Sequence, residues 1–218
     1  MIVCLAGPSG SGKTTLAKAL AEHFNWKFKE NSAGLIISNT HKDYMAAQFG
    51  YNGDLGQAEV INKSHKDPLF GLYFQQTIVE ARIKLLHDTL AMGKNAIYDR
   101  GPLDPIVFYL NQVVNNFDEK TADRFFESCM PGLRNVDLII RVPLQNPNCE
   151  IENNGSRIAN WYFQMKIDLL YDQAIHIASW MVKKNHLLFE NKPIRVTRTS
   201  TWDWGKRLTE CIKMIEAQ

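Results

Sequence analysis

A glycine-rich loop near the start of the chain constrains it more than anything that follows. Ile2–Ala6 is a short apolar run suited to a buried parallel strand. It is followed by Gly7-Pro8-Ser9-Gly10-Ser11-Gly12-Lys13-Thr14, which fits the phosphate-binding pattern G-x-x-x-x-G-K-[ST] at every fixed position. From Thr15 to Leu20 the apolar residues return at helical spacing. Glycines let successive N–H groups turn inward around an anion without Cβ clashes. The new helix adds its free N–H groups and the positive end of its dipole. Lys13 brings a point charge to the terminal phosphates and Thr14 a hydroxyl to Mg²⁺; Gly7, Ser9, Gly10, Ser11, Gly12 and Thr15 complete the cradle. The stretch predicts binding of a nucleoside triphosphate with Mg²⁺. No Asn-Lys-x-Asp guanine-reading pattern occurs, so ATP is the default donor.

Beyond this loop, strands alternate with helices. Trp26–Glu30 alternates apolar and charged residues as a second strand, and Lys94–Tyr98 is a third, closing on Asp99-Arg100-Gly101. Val136–Val142 is a dense β-branched central strand, and Ile194–Thr197 a short last one. Asp67 and Pro68 open a long helix that reaches about Met92 and is stopped by Gly93. Further helices are expected from Pro102 or Leu103, and from Glu119 to about Cys129, where Pro131-Gly132 ends it. Another should run from Ile158 to Lys184, with Trp161, Met165, Leu169, Tyr171 and Ile175 along it. The last is expected from Trp202 to Ala217, capped by Ser200 or Thr201, with Trp202 and Trp204 packed against it. Short helices are expected at 42–49 and 58–63. This is the pattern of an α/β three-layer sandwich with a central, mostly parallel five-stranded sheet. A single domain is expected over 1–218, with an acceptor-binding region at about 31–67 and a lid at about 143–160.

Composition excludes several classes. A net charge of +2, with no block of basic residues, argues against a sequence-independent nucleic-acid binder. Cys4, Cys129, Cys149 and Cys211 lie far apart without a C-x-x-C, the usage of reduced intracellular thiols rather than a zinc site. The chain enters its first strand within two residues, leaving no room for a leader, and no run approaches a membrane span. The expectation is a soluble, cytoplasmic protein, with a homodimer left open.

Open parallel sheets bind ligands beyond the carboxyl ends of their strands. Glu30 and Asp99-Arg100 both stand at such ends. Asp99 can hold Mg²⁺ or take a proton from the attacking group, and Arg100 can clamp a phosphate by two parallel hydrogen bonds.

Here the chain resembles a known superfamily. Leu90–Arg100 looks like the segment of thymidylate kinases in which a helix, a glycine and a strand lead into Asp-Arg. Phe74-Gln75 with Arg82 resembles the base-reading glutamine and downstream arginine of deoxynucleoside kinases, although Gly101 stands where those enzymes carry serine. Asp99–Asp104 and Glu152–Arg157 resemble ribosylnicotinamide-kinase-like proteins. The resemblance implies a nucleotide-kinase-like P-loop fold. It further implies that Gln75 bonds the acceptor base and that Arg82 binds near its phosphate or supports the acid. Glu30 would act as base or hold the sugar hydroxyl, and Arg157 would close on the transferring phosphate as a lid arginine. An arginine after a flexible polar loop also suits that task physically, because phosphoryl transfer needs positive charge and exclusion of water.

The leading expectation is ATP-dependent phosphoryl transfer to a nucleoside monophosphate, a deoxynucleotide, because Arg82, Arg100, Arg134 and Arg141 can supply the extra cations. The close alternative is a nucleoside kinase acting on a sugar hydroxyl, with Glu30 or Asp99 as base. A nucleic-acid acceptor is disfavoured by charge. A P-loop ATPase or switch is disfavoured by the weak acidic strand end at Tyr98-Asp99.

Overall fold

The computed structural model describes residues 1–30, 57–144, 160–184 and 194–218, together with 47 and 158. Apart from residue 47, the expected helix at 42–49 lies outside the described residues, as do Cys149, Arg157 and most of the expected acceptor and lid segments.

Five strands form one sheet: β1 (Ile2–Ala6), β2 (Lys27–Glu30), β3 (Ala96–Asp99), β4 (Leu138–Arg141) and β5 (Val196–Arg198). Their order is β2-β3-β1-β4-β5 and every pairing is parallel. The described helices are α1 (Lys13–His23), α2 (Gln57–Lys66), α3 (Pro68–Ala91), α4 (Leu103–Gln112), α5 (Glu119–Arg134), α6 (Trp161–Lys184) and α7 (Trp204–Glu216).

Side-chain alternation along the strands divides the core into two layers. Ile2, Cys4, Ala6, Ala96, Tyr98 and Ile139 point to one face, where they meet apolar residues of α3, α4, α5 and α6. Val3, Leu5, Ile97, Leu138 and Ile140 point to the other, against Leu16 and Leu20 of α1 and Cys211 and Ile215 of α7. Covering both faces buries β1, β3 and β4 throughout, which is why those strands read as nearly unbroken apolar runs. The result is the expected three-layer sandwich.

Several element readings need correction. α5 does not stop before Pro131 but carries it inside the helix and ends at Arg134. Met130, Gly132 and Leu133 are all buried there, and that packing outweighs the hydrogen bond a proline removes. The buried face of α6 runs through Gln164, Ile167, Tyr171, Ala174, Ala178 and Met181, whereas Met165 and Leu169 are exposed. A stripe containing glutamine and two alanines gives a weak hydrophobic signal. The cap of α7 is Asp203, whose carboxylate accepts from the Lys206 N–H at 2.9 Å, rather than Ser200 or Thr201. Trp202 and Trp204 are largely exposed and do not pack as expected. By contrast, Asp67 caps α3 as read, accepting from the Phe70 N–H at 3.1 Å.

From β1 the chain leaves through α1 on one face of the sheet, and from β3 it leaves through α4 on the other. The neighbouring carboxyl ends of β1 and β3 therefore flank a topological switch point, the place where such sheets open a ligand crevice.

Candidate active site

The glycine-rich loop and the Asp99-Arg100 turn face each other across that switch point. Gly7 packs so closely on β4's end that a Cβ there would lie 2.1 Å from the Val142 carbonyl oxygen. Gly10 and Gly12 take φ of 82° and 83°, left-handed values that curl the loop before α1 begins at Lys13. No acidic residue occupies the first turn of α1, so its positive end stays uncompensated for an anion. Lys13 is buried, and its Nζ donates to the Pro8 carbonyl oxygen at 2.5 Å. Ser11 Oγ donates to the same carbonyl at 3.0 Å. Thr15 lies in the first turn of α1.

Across the crevice, Thr14 Oγ1 donates to Asp99 Oδ2 at 2.5 Å. Asp99 is buried and its Oδ1 has no hydrogen-bond partner. A buried carboxylate oxygen without a partner is costly. Beside a hydroxyl it forms the hard, all-oxygen donor set that Mg²⁺ favours. Among the described residues no cluster of three or more His, Cys, Asp or Glu forms a metal cage. Glu30 ends β2 directly opposite Asp99 in the strand register and is exposed, at the same edge of the sheet.

Arg100 adopts φ 81°, uncommon for a residue with a side chain. Its N–H donates to the Leu5 carbonyl oxygen at 3.0 Å, which holds the turn against β1. Its guanidinium donates to Asp104 Oδ1 at 2.6 Å and lies 3.5 Å from Ser9 Oγ in the phosphate loop. Burial works against the Arg100 charge, but Asp104, Tyr171 and Asp99 outweigh it and hold its pKa above the ordinary value.

The hub of this edge is Asp104, a residue absent from the expected site. It is fully buried and accepts from Arg100, from the Tyr171 hydroxyl at 2.6 Å and from the Gly101 N–H at 2.9 Å, with Arg82 at 3.8 Å. Burial alone would raise its pKa. The charges of Arg82 and Arg100, with the bonds from Gly101 and Tyr171, hold it below the usual carboxylate range. Burial raises the Tyr171 phenol well above its ordinary value, helped by Asp104, so it stays a donor at neutral pH.

The structure also accounts for the departure at Gly101. A Cβ there would sit 2.8 Å from Cys4 Cβ and 3.1 Å from its sulfur, inside β1, so a serine does not fit.

Arg82 is buried and donates to the Gly101 carbonyl oxygen at 2.7 Å. It also lies 3.8 Å from the Asp104 carboxylate, a contact not among the roles implied for it. Gln75 lies seven residues earlier on α3, about 10 Å further along the helix. Its Nε2 donates to Gln112 Oε1 at 3.3 Å, while its Oε1 is buried without a partner. Arg141, at the end of β4, is committed to Asp168 at 2.6 Å and to the Val142 carbonyl oxygen at 3.1 Å. Arg134 ends α5 shortly before β4 begins, at the opposite edge of the sheet.

Two further residues brace the loop. Arg207 of α7 donates to the Ser11 carbonyl oxygen at 2.8 Å and to that of Thr201 at 2.7 Å. Gln164 of α6 accepts from the Ser9 N–H at 3.0 Å. Neither belongs to a motif that sequence spacing could have flagged.

The fold and this edge define a P-loop α/β protein. More particularly, a family model described as an AAA domain matches residues 2–159, well over half the chain, and the protein belongs to that family. Similar solved structures include a deoxyadenosine kinase from M. mycoides with bound dATP (15% identity, 99% of each chain covered, TM-score 0.59). Another is the NadR protein in complex with NR, at 13% identity and TM-score 0.59. That match covers 99% of this chain but 48% of NadR, so the chain spans about half of that protein's length. A third is the YorR protein from Bacillus subtilis in complex with phosphorylated GDP (12% identity, 99% and 96% covered, TM-score 0.53). At these identities the likeness is one of fold. No curated protein matches the sequence. Among the described residues, no helix is long and apolar enough to cross a membrane.

Proposed function

We propose that this single-domain protein transfers the terminal phosphoryl group of ATP to the sugar hydroxyl of a nucleoside. The observation that carries the reading is the Thr14–Asp99 pair, with Asp99 Oδ1 buried and unsatisfied between the phosphate loop and Arg100. Thr14 and Asp99 would hold Mg²⁺, which when bound neutralises charge on the donor phosphates. The loop N–H groups and Lys13 bind and orient those phosphates. Arg100 reaches the crevice beside Ser9, where it can share the charge of the moving group. In this reading Glu30 or Asp99, neighbours in the strand register at the carboxyl edge, would take the proton of the attacking hydroxyl, and Gln75, whose buried Oε1 lacks a partner, would bond the acceptor's base.

A nucleoside monophosphate is the second reading. Its case in the sequence rested on four arginines. Among the described residues Arg82 and Arg141 are buried in internal contacts and Arg134 sits at the far edge, which leaves Arg100 to meet an acceptor phosphate. That count favours the nucleoside. The deoxyadenosine kinase and NadR likenesses are consistent with either acceptor.

The test is ADP release from Mg-ATP against a panel of nucleosides, their monophosphates and oligonucleotides. Turnover that needs a nucleoside supports the reading. Turnover with monophosphates alone moves it to the second reading, and turnover indifferent to every acceptor removes both.

A further inference from the structure

We propose that Gln164 is a positioning residue for the phosphate loop, holding Ser9 in register with Arg100 by closing a ring of contacts through α6. The inference rests on the donor-site reading above, but it concerns a residue outside the stretch matched by the family model. Gln164 is 1% exposed and uses both ends of its amide: Oε1 accepts from the Ser9 N–H at 3.0 Å, and Nε2 donates to the Ile158 carbonyl oxygen at 2.8 Å. An amide bonded at both ends has one orientation, so the Ser9 backbone is pinned.

Two turns further along the same face, Tyr171 donates to Asp104 at 2.6 Å. Asp104 accepts from Arg100 at 2.6 Å, and Arg100 approaches Ser9 Oγ at 3.5 Å. The path Ser9, Arg100, Asp104, Tyr171, Gln164, Ser9 therefore closes, with the helix as its rigid side. Between them, Asp168 pins the same helix to Arg141 and to the Leu144 N–H, at 2.6 and 3.1 Å. A phosphoryl group held between the loop and Arg100 needs both at one fixed separation, because catalysis by positioning tolerates little displacement. The ring sets that separation.

The ring makes a prediction that mere local packing does not. Gln164 and Tyr171 are about 10 Å apart along the helix, a distance at which mutational effects ordinarily add. Members of one ring are redundant once it is open. Calorimetric titration of Mg-ATP is therefore performed on the wild type, Gln164→Met, Tyr171→Phe and the double variant, after thermal melts establish folding. Each single variant should bind about tenfold more weakly, the loss expected for one buried hydrogen bond. The double variant should also bind about tenfold more weakly rather than about a hundredfold. Multiplicative losses, or Gln164→Met binding within twofold of wild type, would overturn the proposal. Should Gln164→Met not fold, Ser9→Ala opens the same ring from the loop side and replaces it in the cycle. Lys13→Ala, titrated alongside, separates the two levels of argument. Wild-type affinity in that variant removes the donor site itself. Lost affinity there with normal binding in Gln164→Met removes the ring alone.

Discussion

Asp104→Asn is the substitution that presses hardest on the architecture of this site. It keeps the shape of the side chain but removes the charge between two guanidinium groups, at 2.6 Å from Arg100 and 3.8 Å from Arg82. Arg82 is buried, so its charge would be left without its carboxylate, whereas the Arg100 side chain is 20% exposed and can lean on solvent. Removing one partner of a buried ionic group costs about 3–5 kcal/mol, and the partial exposure of Arg100 places this case near about 3. Against a typical stability of about 5–15 kcal/mol the variant should still fold. With a urea slope of about 2 kcal/mol per molar, its unfolding midpoint should fall by about 1.5 M. A midpoint within about 0.3 M of wild type would refute the idea that Asp104 holds this edge together. The loss should also depend on pH. Asp104 has a depressed folded pKa, so its contribution is complete above the ordinary carboxylate value of about 4 and fades as pH falls towards the lower folded value. The gap between the two proteins should therefore narrow between pH 7 and pH 3; a gap that ignores pH contradicts the assignment.

Three other substitutions bear on separate parts of the site. Gly101→Ser forces a Cβ to 2.8 Å from Cys4 Cβ, and overpacking of about 1–3 kcal/mol should lower the melting temperature by several degrees; an unchanged melt would mean that β1 yields more easily than its burial implies. Thr14→Ala removes the hydroxyl paired with Asp99, so half-maximal turnover should need several-fold more Mg²⁺, and an unaltered Mg²⁺ titration would take Thr14 out of the metal site. Arg134→Ala should leave acceptor KM within about twofold, since the residue lies at the edge opposite the crevice; a large rise in KM would reinstate it as a phosphate clamp.

The glycine-rich loop was legible because its geometry is local. A phosphate loop is one strand, one turn and one helix, and its residue types follow from the backbone it must form. The shared placement of Asp99, Arg100 and Glu30 was legible for a related reason, since strand ends of a parallel sheet share one edge. What the sequence hid lies between elements far apart in the chain. Asp104 meets Tyr171, Ser9 meets Gln164, and Ser11 meets Arg207, pairs joined only by packing. The α6 face was misread for a similar reason: its inward residues include Gln164, Ala174 and Ala178, so apolar spacing pointed to the exposed Met165 and Leu169. Counting arginines in the sequence likewise overstated the cations free for an acceptor, because Arg82 and Arg141 are held by internal oxygens.

In the proposed function, the phosphate loop and the Asp99-Arg100 turn form one phosphoryl-transfer site. Phosphorus NMR of a reaction holding Mg-ATP and the acceptor that sustains turnover tests this directly. One phosphorylated acceptor should appear for each ADP formed, with no inorganic phosphate, and Lys13→Ala should produce neither. Inorganic phosphate in step with ADP, the acceptor unchanged, would make the protein an ATPase and contradict the account.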